Sequence, residues 1–285
     1  MGFNIAITGS GGFIGGEMKN YLQEKDHNVI RISRNDIKNT DLLQRKLENV
    51  DVIINLAGAP VVKRWTRRYK KVIYDSRINT TKELVKAINS LKYTPDLFLS
   101  ASAIGIYENN GEHTEDNFNY GSSFLAHVVI DWEKEALKIG RSSIRTVLFR
   151  FGIVLGRDGG ILKHMVRLFR VGMGSIIDTG NQSFSFIHIK DVLRALQFVM
   201  DNKNSSGIYN LVSPKNVTSS DFSRLLAERL KRPILFNIPE WIVRFFMKEG
   251  ATMLTEGQKV IPAKLEREGF NFRFQTLDDC LNDLI

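Results

Sequence analysis

Glycines 9, 12 and 15 sit in the segment Thr8-Gly9-Ser10-Gly11-Gly12-Phe13-Ile14-Gly15, and the apolar rhythm of the chain changes across them. Before them, Phe3-Asn4-Ile5-Ala6-Ile7 has the length and composition of a strand. After them, Met18, Tyr21 and Leu22 recur at the i, i+3, i+4 spacing of a helix face. A strand that enters a helix through this trio has a mechanical reason for each glycine. The first, without a Cβ, lets the chain turn sharply; the second lets backbone approach a pyrophosphate; the third lets the helix pack tightly. The helix start then offers free N–H groups and a positive dipole end to an anion. A glycine trio alone is a weak sign, but one lying across the first strand-to-helix joint of an alternating chain is a strong one.

The chain does alternate. Runs at 3–8, 29–33, 52–56, 97–101 and 144–149 read as strands separated by helix-length stretches, the rhythm of a parallel sheet with crossover helices. Beyond residue 151 the pattern is less regular, with glycine-rich turns at 156–160 and 172–174 and helices at about 191–200 and from about 219. From Pro239 a mostly helical tail carries Trp241, Ile242, Phe245, Phe246 and Leu254. The expected fold is α/β, a Rossmann-type doubly wound parallel sheet with a small, mostly helical C-terminal lobe. The expected division is 1–235 for the nucleotide unit and its cleft and 236–285 for the helical C-terminal domain.

Composition narrows the partners. Lys and Arg number 40 against 31 Asp and Glu, a balance that suits phosphate-bearing ligands, nucleic acid or an acidic membrane surface without choosing among them. The single cysteine, Cys280, excludes an internal disulfide and points to a reducing, cytoplasmic setting. No apolar run reaches bilayer-spanning length and the first strand begins at once, so neither a membrane partner nor a leader peptide is expected. The five histidines do not cluster with Cys or carboxylates, so no metal is expected.

Dinucleotide folds that use NAD usually carry an acidic residue about 20 positions past the glycine loop, where it accepts from the ribose hydroxyls. Ser33-Arg34 occupy that place here. A guanidinium can hold a 2′-phosphate through two charge-assisted hydrogen bonds and stack on adenine, so the expected cofactor is NADP(H). The alternative leaves Arg34 as a solvated cation, with Asp36 swinging in to serve NAD. Asn55-Leu56-Ala57-Gly58 and Ser100-Ala101-Ser102 fall at the carboxyl ends of later strands, where ligands of open α/β sheets lie. The expected cofactor contacts are therefore Gly9, Ser10, Gly11, Gly12, Phe13, Ile14, Gly15, Ser33, Arg34, Leu56, Ala57, Gly58 and Ser100.

These segments resemble the extended short-chain dehydrogenase/reductase superfamily. Within it they resemble an atypical nucleoside-diphosphate-sugar epimerase-like branch with a helical C-terminal domain of unknown function (DUF1731-type). Further carriers are Lys63-Arg64-Trp65, Asp75-Ser76-Arg77, Asp131-Trp132-Glu133, Gly152-Ile153-Val154-Leu155-Gly156, Ile187-His188-Ile189 and Gly257-Gln258-Lys259-Val260-Ile261-Pro262. The resemblance covers essentially the whole chain and implies bound NADP(H), with Arg77 a contact beside Ser33, Arg34, Leu56 and Ala57. Helical spacing alone allows Arg77 equally to cap or pair on one long helix from about 66 to 89.

Members of this superfamily ordinarily pair Tyr and Lys four residues apart on one helix face, the tyrosine as acid/base. Counting back from Trp132-Glu133 puts Leu125 and Val129 there, and the chain's own Tyr21 to Lys25 match lies on the first helix, facing the wrong part of the fold. Loss of a positioned acid/base costs about 10²- to 10⁴-fold in rate. The replacement candidates are Ser102, to orient a substrate oxygen, and Tyr107, to donate a proton; a turn serine and a packing tyrosine are the plain alternatives. The expected activity is hydride chemistry on a hydroxyl or carbonyl of a small polar or nucleotide-sugar substrate. The other reading is a catalytically weak NADP(H)-binding protein whose occupancy controls a partner. Ile106-Tyr107, Ser183 and Phe186 depart from the branch pattern near the expected substrate pocket. His188 reads as structural, with Asp191 placed to cap the helix that follows.

One stretch invites a different reading. Lys63-Arg64-Trp65-Thr66-Arg67-Arg68-Tyr69-Lys70-Lys71 interleaves six cations with two aromatics, as nucleic-acid sites do. A helix starting here would place several cations on one solvated face, and that is the favoured reading, so no nucleic-acid partner is expected.

Overall fold

The computed structural model describes residues 2–285. The first apolar run forms β1 (Asn4–Thr8) and passes through the glycines into α1 (Phe13–Glu24). β2 (Asn28–Ile32) lies on one side of β1, with Ile7 beside Arg31. The chain then crosses back through α2 (Arg34–Ile37) and α3 (Thr40–Leu47) to β3 (Val52–Asn55), on the other side of β1. This reversal opens a crevice at the carboxyl ends of β1 and β3, the place where doubly wound sheets receive ligands.

Beyond β3 the chain builds outward through α4 (Arg67–Asp75), α5 (Ile78–Ser90), β4 (Leu97–Ala103), the short β5 (Glu112–His113), α6 (Phe124–Ala136) and β6 (Arg145–Phe151). β7 (Ile153–Leu155), α7 (Gly160–Arg170), β8 (Ser175–Ile177), β9 (Phe186–His188), α8 (Ile189–Asp201) and β10 (Gly207–Leu211) follow. The six-stranded sheet has the order β2-β1-β3-β4-β6-β10, and every pairing in it is parallel. Both faces are covered. Ile5, Ile7 and Ile54 pack with Met18 and Leu22 of α1 and with Val192 and Leu196 of α8. Ala6, Ile32, Ile53 and Phe98 pack on the opposite face with Leu43 of α3 and Leu84 and Ile88 of α5. A strand buried on both faces reads as a nearly continuous apolar run, which is why these strands were visible in the sequence. Each fully buried Leu or Ile side chain contributes about 1.5–3 kcal/mol.

The long helix expected over 66–89 is two. The Ser76 hydroxyl turns back to the Ile73 carbonyl and accepts from the Ala59 amide at 2.9 Å, so α4 stops at Asp75 and α5 restarts at Ile78. A serine that bonds backbone locally competes with the helix ladder.

The C-terminal segment, from α9 onward, is woven into the rest. After α9 (Ser219–Leu230), β11 (Phe236–Ile238) pairs with β8. α10 (Glu240–Met247), α11 (Thr252–Thr255) and β12 (Lys259–Val260) follow, and β12 pairs with β5. α12 (Ala263–Arg267) and α13 (Leu277–Leu284) end the chain, and α13 seats Leu277, Cys280, Leu281 and Leu284 against Leu155, Phe169, Phe186 and Leu226. Burial pushes the Cys280 thiol far above its ordinary value, so it packs as a small apolar group. Among the described residues no helix is long and apolar enough to cross a membrane, and no His, Cys, Asp and Glu group could hold a metal ion.

Candidate functional site

The glycine joint is built as a tight turn against β3. Gly9 has φ +71°, and a Cβ there would sit 2.5 Å from the Leu56 carbonyl oxygen, so both the turn and the close approach require glycine. A Cβ on Gly15 would lie 2.3 Å from the Gly9 carbonyl oxygen; what the third glycine admits is the turn itself, folded back on α1. The Gly12 amide donates to Gly9 O at 3.0 Å, and the first amide bonded within the helix is Gly16, to Gly12 O at 2.8 Å. The amides of Phe13, Ile14 and Gly15 therefore have no acceptor among the described residues and no capping side chain in front of them. Gly11 faces open space, and the Phe13 ring is closed over by the glycine turn at 156–160.

At the end of β2 the charges are sorted. Ser33 caps α2, and its amide donates to Asp36 Oδ2 at 2.7 Å, while Lys46 Nζ meets the same oxygen at 2.8 Å. Burial alone would raise the Asp36 pKa, but the hydrogen bonds from Lys46 and Ser33 hold it below the ordinary carboxylate range. That carboxylate faces inward and is engaged, so it does not serve a ribose in this arrangement. Arg34 is exposed, with no carboxylate within 4 Å among the described residues. A second arginine stands nearby: Arg31, on β2, donates from Nε to Ser10 Oγ at 3.3 Å. The sequence reading passed over it because an exposed arginine in an alternating strand is ordinary. Only the register of the folded sheet, which sets Arg31 beside Ile7 on the strand leading into the glycine loop, reveals its position.

A buried polar strut ties the strand ends together. Asn55 accepts from Thr8 Oγ1 at 2.7 Å and donates to Thr81 Oγ1 at 2.8 Å and Ser100 Oγ at 3.1 Å, and the Leu56 amide donates to Thr8 Oγ1. Ser100, expected to touch cofactor, lies fully buried in this strut and ties the middle of β4 to the end of β3. Leu56, Ala57 and Gly58 remain partly or fully exposed above it. Arg77, at the break between α4 and α5, lies flat on Gly58, donates to Ile73 O and Ala59 O at 3.1 Å each, and faces the Trp132 ring. No carboxylate lies within 4 Å of it among the described residues, and burial lowers its pKa to about 10.

Ser102 and Tyr107 are brought together, but inside the protein. Ser102 Oγ donates to Glu133 Oε1; Arg150 grips Glu133 at two points and donates from Nη1 to Tyr107 OH at 2.8 Å; Tyr107 OH donates to Asn210 Oδ1 at 2.6 Å. Asn210 in turn holds Glu115 and the Ile261 carbonyl, linking the sheet to the C-terminal segment. Ser102 is 2% exposed and Tyr107 1%, so neither hydroxyl lines an open surface. Burial pushes Tyr107 up to about 12 despite the opposing Arg150 charge. Arg150, Glu133 and Asn210 were missed as a set; the signal was a lone arginine inside Val147-Leu148-Phe149-Arg150-Phe151. Leu125 and Val129 pack in apolar clusters along α6 and supply no acid.

His188 is structural, as expected, but it is itself the helix cap. Its Nδ1 accepts from the Lys190 amide at 3.0 Å, whereas Asp191 takes the amides of Arg273 and Phe274. In the basic stretch, Trp65 is buried with Nε1 on Val61 O, Tyr69 OH donates to Pro60 O, and Thr66 caps α4. Lys70 pairs with Glu249 and Lys71 with Asp75.

Residues 5–211 match the profile of the NAD dependent epimerase/dehydratase family, and residues 238–284 match a domain of unknown function, DUF1731. Epimerase family protein YfhF of Bacillus subtilis is 34% identical, with 99% of this chain and 98% of that protein covered. Epimerase family protein SDR39U1 of Mus musculus is 33% identical, with 99% of each covered. The crystal structure of human epimerase family protein SDR39U1 (isoform 2) with NADPH is similar at a TM-score of 0.91 and 30% identity, covering 99% of this chain and 98% of that one. With a family profile spanning most of its length and relatives matching it nearly end to end, this chain belongs to the NAD dependent epimerase/dehydratase family.

Proposed function

We propose that this protein binds NADP(H) in the crevice beyond the carboxyl ends of β1 and β3. One observation carries the reading. The end of β2 presents a free guanidinium, Arg34, while the carboxylate that could serve an unphosphorylated ribose, Asp36, is tied to Lys46 and the Ser33 amide. The acceptor-free amides of Phe13, Ile14 and Gly15 would hold the pyrophosphate, with Ser10, Gly11 and Gly12 lining the turn. Ser33 and Arg34 would hold the 2′-phosphate, and Leu56, Ala57 and Gly58, just past β3, and Arg77, at the break between α4 and α5, would face the nucleotide. The likeness to human SDR39U1, crystallised with NADPH, supports the reading. Calorimetry tests the reading: NADPH should bind more tightly than NADH, and no heat with either nucleotide would overturn it.

When bound, NADP(H) supplies or accepts a hydride. We propose a small polar or nucleotide-sugar substrate with a hydroxyl or carbonyl at the reacting carbon, its oxygen oriented by Ser102; Tyr107 would give that oxygen a proton as a carbonyl is reduced and, in the reverse direction, its phenolate would take the proton as a hydroxyl is oxidised. A high Tyr107 pKa suits a group that must arrive protonated, yet Ser102 must give up Glu133 and Tyr107 must give up Asn210 to reach a substrate. That occupancy favours a second reading, a catalytically weak NADP(H)-binding protein whose loaded state governs a partner. NADPH oxidation with a panel of carbonyl compounds and nucleotide sugars separates the two. Turnover that falls in Ser102→Ala and Tyr107→Phe supports the enzyme, while equal background rates in all three proteins support the binding protein. We also place the protein in the reducing cytoplasm, on its single buried cysteine, and divide it as 1–235 and 236–285.

A further inference from the structure

We propose that Arg31 and Arg34 form a two-guanidinium clamp for the 2′-phosphate, with Ser10 tethering Arg31 to the glycine loop; this rests on the NADP(H) reading above. The parallel register sets Arg31 beside Ile7, and its strand neighbour Ile32 is buried in the core on the other sheet face. The Arg31 side chain therefore projects on the face carrying α1 and its entry loop, where Nε meets Ser10 Oγ at 3.3 Å. One of its five N–H donors is used there, and the others have no partner among the described residues.

The local charges suit an anionic guest. Asp36 is the carboxylate of this segment, and Lys46 consumes it; the same ammonium group leans on the Arg31 carbonyl at 3.4 Å. Neither arginine has a carboxylate within 4 Å among the described residues, so β2 and the start of α2 offer two exposed guanidinium groups three residues apart in the chain, one of them seated on the glycine turn. A phosphate monoester carries nearly two negative charges at neutral pH and accepts from both guanidinium groups, whereas an unphosphorylated ribose offers them no anion. An arginine present only for solubility has no reason to be seated on the hydroxyl of the anion-binding turn.

The test measures the affinities of NADPH, NADH, 2′,5′-ADP and 5′-ADP calorimetrically for the wild type, Arg31→Ala, Arg31→Lys and Arg34→Ala. Arg31→Ala should weaken NADPH and 2′,5′-ADP about tenfold or more while moving NADH and 5′-ADP less than about twofold. Arg31→Lys should recover part of the loss. Added salt should weaken NADPH binding less in Arg31→Ala than in the wild type, since one screened charge has gone. Equal weakening of the ligands with and without a 2′-phosphate would make Arg31 a mere support of the turn and overturn the clamp. So would no change in any of them, with dinucleotide binding itself intact. A wild type silent to all four ligands would instead take down the NADP(H) reading and the clamp with it.

Discussion

Arg150 and Glu133 meet in a two-point ion pair, Nε to Oε1 and Nη2 to Oε2 at 2.8 Å each, with side chains 1% and 8% exposed. Burial opposes the Arg150 charge, but the Glu133 hydrogen bonds and charge hold its pKa above the ordinary value. Removing one partner strands a charge in the interior. Glu133→Ala is therefore expected to cost about 3–5 kcal/mol of unfolding free energy, measured by urea denaturation. Glu133→Leu combined with Arg150→Met should recover most of that loss, because neither charge then remains. A Glu133→Ala protein as stable as the wild type would mean the pair is open to water.

Tyr107 hangs from the same arginine, and its titration gives a second check. Burial raises Tyr107 and Tyr209 from 10 to about 12 each, with Glu268 adding to the effect at Tyr209. Because the folded values are raised, the native state holds these protons more tightly than the unfolded chain does. The associated stability is complete below pH 10 and is lost as pH climbs from 10 through 12. Tyr107→Phe should flatten this alkaline decline. At neutral pH it should lower stability by about 1–3 kcal/mol, since Asn210 Oδ1 and Arg150 Nη1 lose a partner. Thermal melts at pH 7 and across pH 9–12 read both effects.

The acid side belongs to His188. It is fully buried against Phe274, and burial lowers its pKa to about 4 although Asp283 pulls the other way. A depressed histidine binds its proton more readily in the unfolded chain. Stability from this residue is therefore full above about pH 6.5 and falls as pH drops from 6.5 through 4. His188→Asn keeps an acceptor for the Lys190 amide but does not titrate there. Its unfolding free energy should fall less steeply between pH 6.5 and 4 than that of the wild type; an unchanged slope would assign the acid sensitivity elsewhere.

What the sequence made legible follows from the range of the forces involved. Ile5, Ile7 and Ile53 announce strands because burial on two faces demands apolar residues without interruption, and Gly9 announces the turn because a Cβ there would strike the Leu56 carbonyl at a φ that favours glycine. Both are local demands. The break at Ser76 depended on an amide 17 residues away, and the Asp36 to Lys46 pairing on a helix not yet placed. The Ser102-Glu133-Arg150-Tyr107-Asn210 chain bonds residues as much as 103 positions apart, so the sequence offers Ser102 and Tyr107 as candidate catalytic groups, or as a turn serine and a packing tyrosine, without the partners that bury them. Arg31 was hidden for the same reason, since only the register of β1 and β2 aims it at Ser10.

Arg77 shows how a site can be held at some expense to the empty protein. Its guanidinium lies largely buried on Gly58 with backbone carbonyls as partners, and its lowered pKa of about 10 reports a charge that the surroundings do not compensate. Replacing an uncompensated buried cation by an apolar side chain of similar length removes a desolvation penalty. Arg77→Met is therefore expected to melt no lower than the wild type without nucleotide, and somewhat higher if the carbonyls of Ile73 and Ala59 find water. Ligand stabilisation grows with the logarithm of occupancy, so a lost anion contact appears as a smaller melting shift at fixed NADPH. The variant should thus combine an undiminished melting temperature without nucleotide with a reduced shift on adding NADPH. A protein destabilised without nucleotide yet shifted fully by NADPH would identify Arg77 as a structural tie between α4 and the Ala59 turn.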